Sequence, residues 1–351
     1  MKGTRINQEG FDVAVVGATG AVGCEMLAIL AERDFPVRTL RAMASKRSAG
    51  KTIEFQGKTV TIEDLQEASF EGVDFGLFSA GGSVSAEHAP RAVEQGVVVI
   101  DNTSAFRMDP DVPLVVPEVN PDAIVDGPDG KVTGIIANPN CSTIQMVVAL
   151  KPLADAAGLD RVIVSTYQSA SGAGQKGIDE LMASVKARMD GTDEPAPQKF
   201  AHPLAFEALP HIDVFFDSGF TREELKMVNE TRKIMTLPEL SVAATCVRVP
   251  SVRSHSESIT VDLKEALSVE QARKLWEDAP GVKVYDDPAT NTYPLARLAE
   301  KTDDTWIGRI RKDLDRDNTL HFWVVSDNLR KGAALNAVQI AEELVRRRSG
   351  N

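Results

Sequence analysis

From Phe11 to about Asn138, short apolar or β-branched runs alternate with stretches of helical texture. Val13–Val16, Phe75–Phe78, Val97–Ile100 and Gly134–Ala137 have strand length, and Ala21–Arg33 and Ser83–Gln95 read as helices between them. This alternation predicts a parallel sheet with covering helices. Beyond Leu159 the pattern changes to longer strand-like runs, Arg161–Ser169, Val242–Val249, Ser258–Leu263 and Leu320–Val325, divided by few helices. Such a segment predicts an α+β second domain with an open, mixed or antiparallel sheet. Gly191–Pro197 reads as a loop, either a solvated connection or a subunit-contact arm. At the end of the chain Leu335, Val338, Ala341, Leu344 and Val345 have helical spacing, so Gly332–Arg348 is expected to return and cover the first sheet.

Composition agrees with two domains: 351 residues with 43% hydrophobic content can bury more than one core. The formal charge of −12 supplies no basic stripe, which excludes a general nucleic-acid-binding surface and leaves small molecules as expected partners. Cys24, Cys141 and Cys246 are widely spaced and form no CxxC pair, so neither a disulfide framework nor a metal site is predicted. Met1–Phe11 is polar, and no apolar run is long enough to span a bilayer, which predicts a soluble cytoplasmic protein.

The chemistry starts at the first strand. Val13–Val16 runs into Gly17-Ala18-Thr19-Gly20-Ala21-Val22-Gly23 and then a helix, the strand, turn and helix order of a dinucleotide site. Gly17 would allow the tight turn, Gly20 the approach of backbone to pyrophosphate, and Gly23 the packing of helix on strand. The turn residues Thr19, Ala21 and Val22 belong to the same expected cofactor contact. At the end of the second strand, Thr39–Ala44, there is no acidic residue for ribose hydroxyls. The chain continues Ser45-Lys46-Arg47-Ser48, which suits a 2′-phosphate and predicts NADP, with Ser45, Arg47 and Ser48 as contacts. Ser79-Ala80-Gly81-Gly82-Ser83 also joins a strand to a helix, so Ser79 and Gly81 are expected at the same sheet edge.

In Asn138-Pro139-Asn140-Cys141-Ser142-Thr143, a strand ends, proline breaks it and an apolar helix begins. Cys141 is therefore placed near a helix N-terminus, where amides and the macrodipole favour a thiolate. Cys24 and Cys246 read as structural cysteines. Arg248 interrupts an apolar strand, a costly position unless the guanidinium meets an anion. Glu223 and Lys226 share a face of a helix beginning near Thr221, and Thr221 with Glu224 fits a capping box.

These blocks together, with Ser79–Ser83, Asn102–Met108, Gln168, Glu223–Lys226 and Cys246-Val247-Arg248 through Ser254-His255-Ser256, resemble aspartate-semialdehyde dehydrogenase over nearly the whole chain. The resemblance implies a Rossmann-type α/β dinucleotide-binding domain over 1–138 plus 328–351, and an α+β catalytic and dimerisation domain over 139–327. It implies that Cys141 is the nucleophile, His255 the acid/base and Gln168 the group that orients the covalent intermediate. Arg248 would take the substrate carboxylate and Glu223 its ammonium group, with Lys226, Arg107 and Asn140 holding phosphate. Ser171, Gly172 and Asn328 would join the cofactor contacts, Asn328 at the nicotinamide carboxamide.

The implied reaction reduces aspartyl phosphate to the semialdehyde through a thioacyl-enzyme, on the route to lysine, threonine and methionine, in a homodimer or homotetramer. Rival readings are N-acetylglutamyl-phosphate reductase, against which a carboxylate at Glu223 argues, a more distant glycolytic-type phosphorylating aldehyde dehydrogenase, weakened by the Ser45–Lys51 loop, and a non-catalytic nicotinamide-binding regulator.

Overall fold

The computed structural model describes residues 10–125 and 134–348; the polar stretch Met1–Glu9 lies outside them. The chain divides into two compact units, one of Met1–Pro139 with Ala333–Asn351 and one of Asn140–Gly332.

The first unit runs β1 (Phe11–Val16), α1 (Ala21–Glu32), β2 (Val37–Ala44), β3 (Thr52–Phe55), β4 (Lys58–Asp64), β5 (Phe75–Phe78), α2 (Gly82–Glu94), β6 (Val98–Asp101) and β7 (Ile135–Ala137). Its seven strands are ordered β3-β4-β2-β1-β5-β6-β7. Neighbours are parallel except the β3–β4 pair. This is a Rossmann-type sheet, and its strands read as unbroken apolar runs because both faces are covered. Val13 and Val15 pack with α1 and the final helix, Leu335–Arg348, while Ala14 and Val16 pack on the opposite side with Ala89 and Ala92 of α2. The final helix contributes Leu335, Val338, Ile340, Ala341 and Leu344 to the first of these cores, as its spacing predicted. The β3–β4 hairpin was not predicted. Its turn, Gln56-Gly57, has positive φ at both residues, and its strands carry too many polar residues to register as apolar runs.

The second unit contains α3 (Cys141–Ala157), β8 (Leu159–Gln168), α4 (Gln175–Asp190), α5 (Arg222–Ile234), β9 (Ser241–Arg248), β10 (His255–Leu263), α6 (Val269–Glu277), β11 (Val282–Val284), α7 (Ala296–Ala299), β12 (Thr305–Lys312) and β13 (Thr319–Ser326). The six strands are ordered β11-β12-β13-β10-β8-β9, with β8–β9 and β11–β12 parallel and the other pairs antiparallel. The sheet is mixed, within the expectation; the expectation of few helices is corrected. Helix α4 escaped notice because the residues it buries, Gly177, Leu181, Ser184 and Ala187, are mostly small and give only a faint apolar stripe. One face of the sheet packs under α3 and α6, where the Trp276 indole N–H donates to the Ala149 carbonyl at 2.8 Å. No helix among the described residues is long and apolar enough to cross a membrane.

Candidate active site

Strand register assembles the side chains that sequence order keeps apart. Gln168, last in β8, lies beside Arg248, last in β9. Tyr167 pairs with Ser256, so the next step of that antiparallel ladder sets Gln168 beside His255, first in β10. His255 in turn pairs with Ser326, last in β13. Neighbours across a ladder point to the same face. Arg248, Gln168, His255 and Ser326 thus form one row, and all four are buried. The turn at Pro250 hides this relation from any periodicity between Arg248 and His255.

Cys141 is the first residue of α3 and is half-buried. Asn140 caps the helix: its side-chain oxygen accepts from the amides of Ser142 at 3.0 Å and Thr143 at 3.3 Å. The Asn140 amide donates to Glu230 at 2.6 Å and its side-chain nitrogen to Glu223 at 2.9 Å. Asn140 is therefore committed to holding the helix that Cys141 begins. Bare backbone lies behind the thiol, since a Cβ on Gly332 would stand 2.9 Å from the Cβ of Cys141. The other two cysteines are held as thiols: burial pushes both Cys24 and Cys246 up, Cys246 strongly.

Glu223 is the electrostatic centre of this unit. One carboxylate oxygen accepts from Asn140 at 2.9 Å and from Gln168 at 3.1 Å, and the other from Lys226 at 3.0 Å. Burial opposes its ionisation, but the Lys226 charge and these hydrogen bonds override it and hold the pKa at about 2. Lys226 also reaches Asp213 at 3.0 Å, so burial fails to lower it and its pKa is raised by the two carboxylates. The Thr221–Glu224 capping box is present as predicted, and Glu224 also accepts from the Cys246 amide at 3.2 Å. Arg248 donates to the Ser169 carbonyl at 2.6 Å. Burial lowers its pKa, while the Glu223 charge and, less, Cys141 oppose the shift.

The His255 ring is fully buried; its Nδ1 accepts from the Ser169 amide at 3.0 Å. Burial, joined by Arg248 and opposed by Glu223, lowers its pKa to about 3. Asn328 braces this corner: its side-chain oxygen accepts from the Ser254 amide at 2.8 Å and the Ser171 hydroxyl at 3.1 Å, and its nitrogen donates to Ser171 at 2.9 Å. The residue that caps the following turn is Asp327, which accepts from the amides of Leu329 and Arg330. Gly172 faces the same ring, where a Cβ would come within 2.9 Å of Arg248 Nη1 and 3.3 Å of His255 Nε2. Two residues along β10, on the His255 face, Glu257 is fully buried. Neither of its oxygens has a hydrogen-bond partner among the described residues, and burial pushes its pKa well up, an effect the nearby Gln145 amide offsets only in part. Asp213, Ser169 and Glu230 carried no motif that would have marked them.

In the first unit a cavity of about 360 Å³ is lined by Gly17, Thr19, Gly20, Ser45, Lys46, Asp64, Gln66 and Ser79, among others. Gly17 has φ +88°, and a Cβ on Gly23 would stand 2.2 Å from the Gly17 carbonyl oxygen, so both glycines are sterically required. Gly20 caps α1, which begins at Ala21 and Val22, with no side chain over its first amides. Gly81, φ +108°, does the same for α2, and Ser79 donates from its hydroxyl to the Val16 carbonyl at 3.2 Å. These free amides and the glycine cradle fit a pyrophosphate.

Two details differ from expectation. The turn after Ser45 brings Lys46, not Arg47, into the cavity lining, and Ser48 is buried within that turn. An acidic group is also present, because β4 pairs beside β2 with Asp64 opposite Ala44. Arg107, nearly buried, donates to the carbonyls of Asn138 at 2.9 Å and Asn102 at 3.0 Å.

Residues 12–127 match the family model described as semialdehyde dehydrogenase, NAD binding domain, and residues 150–331 the model described as semialdehyde dehydrogenase, dimerisation domain. A protein of Aquifex aeolicus named aspartate-semialdehyde dehydrogenase is 57% identical over 96% of this chain and 98% of its own. The chain belongs to the aspartate-semialdehyde dehydrogenase family. It is a nicotinamide-dependent oxidoreductase carrying the family's dimerisation domain, and the names of relatives at this identity fit the main reading and not the rivals.

A crystal structure of the family's Vibrio cholerae member II, complexed with ASA, has a TM-score of 0.93 and 49% identity, covering 97% of this chain and 99% of that one. A Candida albicans member solved with NADP has a TM-score of 0.75 at 26% identity, covering 97% and 99%. Cys141 falls in the interval between the two matched models.

Proposed function

We propose that this chain interconverts L-aspartyl 4-phosphate and L-aspartate 4-semialdehyde with NADP and inorganic phosphate, through a thioacyl intermediate on Cys141. The observation that carries this reading is the row Arg248–Gln168–His255, with Glu223 hydrogen-bonded both to Gln168 and to Asn140, which caps the helix that Cys141 begins. The α3 N-terminus and Arg248 favour negative charge on sulfur. Its thiolate attacks the acyl carbon, and phosphate leaves. Bound at the glycine turn, the nicotinamide cofactor supplies the hydride in this direction and accepts it in the other. Gln168, tied to Glu223, orients the acyl group, and Arg248 fits the substrate carboxylate with a forked, charge-assisted contact.

Glu223 keeps its charge and is available to an ammonium group in exchange for Lys226. Lys226, released, is then suited to phosphate, for which Arg107 is the second candidate. Ser45 and Lys46 support a 2′-phosphate, hence NADP, even with Asp64 in the lining. A functional thiol supports a reducing, cytoplasmic setting, and the dimerisation domain supports a homodimer.

The decisive experiment follows NADP reduction with aspartate semialdehyde, with and without inorganic phosphate, on the intact protein and on Cys141→Ser. Turnover is expected only with both phosphate and Cys141. Turnover indifferent to phosphate, or surviving the substitution, overturns the mechanism.

A further inference from the structure

A buried cation that is to receive a ligand's carboxylate has to be held still without being occupied, and a protein carboxylate beside it would do both. Arg248 is held by other means. Its Nη1 donates to the Ser169 carbonyl at 2.6 Å, and no carboxylate among the described residues forms an ion pair with it. The guanidinium carbon lies over the Phe200 ring, 5.8 Å from its centre. An aromatic face attracts a cation without taking any of its N–H groups, which leaves Nε and Nη2 to a ligand.

The segment that carries Phe200 is fastened to α4. Glu180 of that helix accepts from three successive amides: Gln198 and Lys199 at 2.7 Å on one carboxylate oxygen, and Phe200 at 3.2 Å on the other. Three residues earlier, on the same face of α4, Gly177 lies against the ring. A Cβ there would stand 3.2 Å from Phe200 Cζ and 2.7 Å from the Ala170 carbonyl oxygen. The ring packs with Ala170, Leu181, Leu204 and Leu209. Leu209 in turn exchanges backbone hydrogen bonds with Arg248, at 2.8 and 2.9 Å. The backbone and the guanidinium of Arg248 thus rest on one small apolar cluster.

We propose that Phe200 is a positioning residue: its ring, fixed by the clasp of Glu180 on residues 198–200, holds the Arg248 guanidinium in place for the substrate carboxylate. This rests on the reading above that Arg248 takes that carboxylate. Phe200 acts through Arg248 alone, so its loss should be felt at one end of the substrate and nowhere else in the reaction.

The test is steady-state kinetics of the intact protein and of Phe200→Leu, Phe200→Tyr, Glu180→Ala and Arg248→Leu, with folding checked by melting temperature. NADP reduction is followed with aspartate semialdehyde and inorganic phosphate. The probe for the carboxylate is 3-aminopropanal, the same amino aldehyde without that group, read as a competitor so that it needs no turnover of its own. Leucine at 200 keeps an apolar side chain in the cluster and removes the ring. In Phe200→Leu, KM for the semialdehyde should rise roughly tenfold, the scale of a desolvated cation–π contact, while kcat, KM for phosphate and the inhibition constant of 3-aminopropanal stay within about twofold. Phe200→Tyr should restore the KM. Glu180→Ala, which frees the segment and leaves the ring, should reproduce the selective loss.

An unmoved KM, an equal rise for phosphate or for 3-aminopropanal, or a tyrosine variant no better than leucine overturns the proposal, since a merely structural role would not spare the other constants. Failure of the reading beneath it is recognised separately: the unaltered chain would not turn over the semialdehyde, or Arg248→Leu would leave its KM unmoved, and the proposal would fall with it. A KM raised by Arg248→Leu but not by Phe200→Leu breaks this proposal alone.

Discussion

The two units build their sites from different material. In the first, the cavity is shaped by backbone: Gly17 makes the turn, Gly20 begins α1 with no side-chain cap, and Gly23 lets helix meet strand. In the second, the site consists of buried side chains that satisfy one another, with Glu223 joined to Asn140, Gln168 and Lys226. A site of the first kind fails when bulk is added. One of the second kind fails when a charge or donor is taken away, because the remaining partners are left buried and unpaired.

Removing a charge from the row should therefore have the largest effect. Arg248→Leu should lower kcat/KM by roughly a thousandfold, the scale of an unpaired buried charge, with KM for the semialdehyde rising most; a change under tenfold would remove Arg248 from the substrate contact.

Next comes pH, measured as stability in chemical denaturation. His255 has a folded pKa of about 3 against 6.5, so the folded state binds fewer protons than the unfolded state between these values. Its contribution is present above pH 6.5 and is lost as pH falls toward 3, at about 1.4 kcal/mol per unit. Glu223 adds a loss of the same sign as pH falls from 4.5 toward 2. Glu257 acts in the opposite sense: its raised pKa gives a contribution present at low pH and lost as pH rises through the folded value. His255→Asn should flatten the acid limb, and Glu257→Gln should raise stability at neutral pH. An unchanged acid limb in His255→Asn would refute the first assignment.

Added bulk comes third. Gly23→Ala should cost about 1–3 kcal/mol and lower the melting temperature, because the new methyl meets backbone and not a side chain that can swing aside. The smallest effect separates neighbours in one loop. Lys46→Ala should raise KM for NADP about tenfold, while Arg47→Ala, outside the cavity lining, should change it little. The reverse order would restore Arg47 as the contact.

The same contrast explains what could be read in advance. The glycine turn, the Cys141 helix start and the Thr221–Glu224 capping box are local, and each residue's role depends on neighbours a few positions away. The row in the second unit depends on three strand pairings, and no local spacing encodes which strand lies between β9 and β10. The family resemblance named Arg248, Gln168 and His255, but their adjacency comes from β8 being inserted between the other two strands. Asp64 escaped for a similar reason, since the search for an acid followed β2 while the ladder brings one from β4. Ser169 meets the His255 ring through its amide, which every residue but proline possesses, and so leaves no mark in the sequence.

The row also limits how this protein can change in length. A single residue gained or lost within β8 would turn Gln168 to the far side of the sheet, and a pair would keep the face but move it a full step along the ladder from Arg248 and His255. Length variation is thereby pushed out of these strands toward connections outside the ladder, such as the one around Gly191–Pro197.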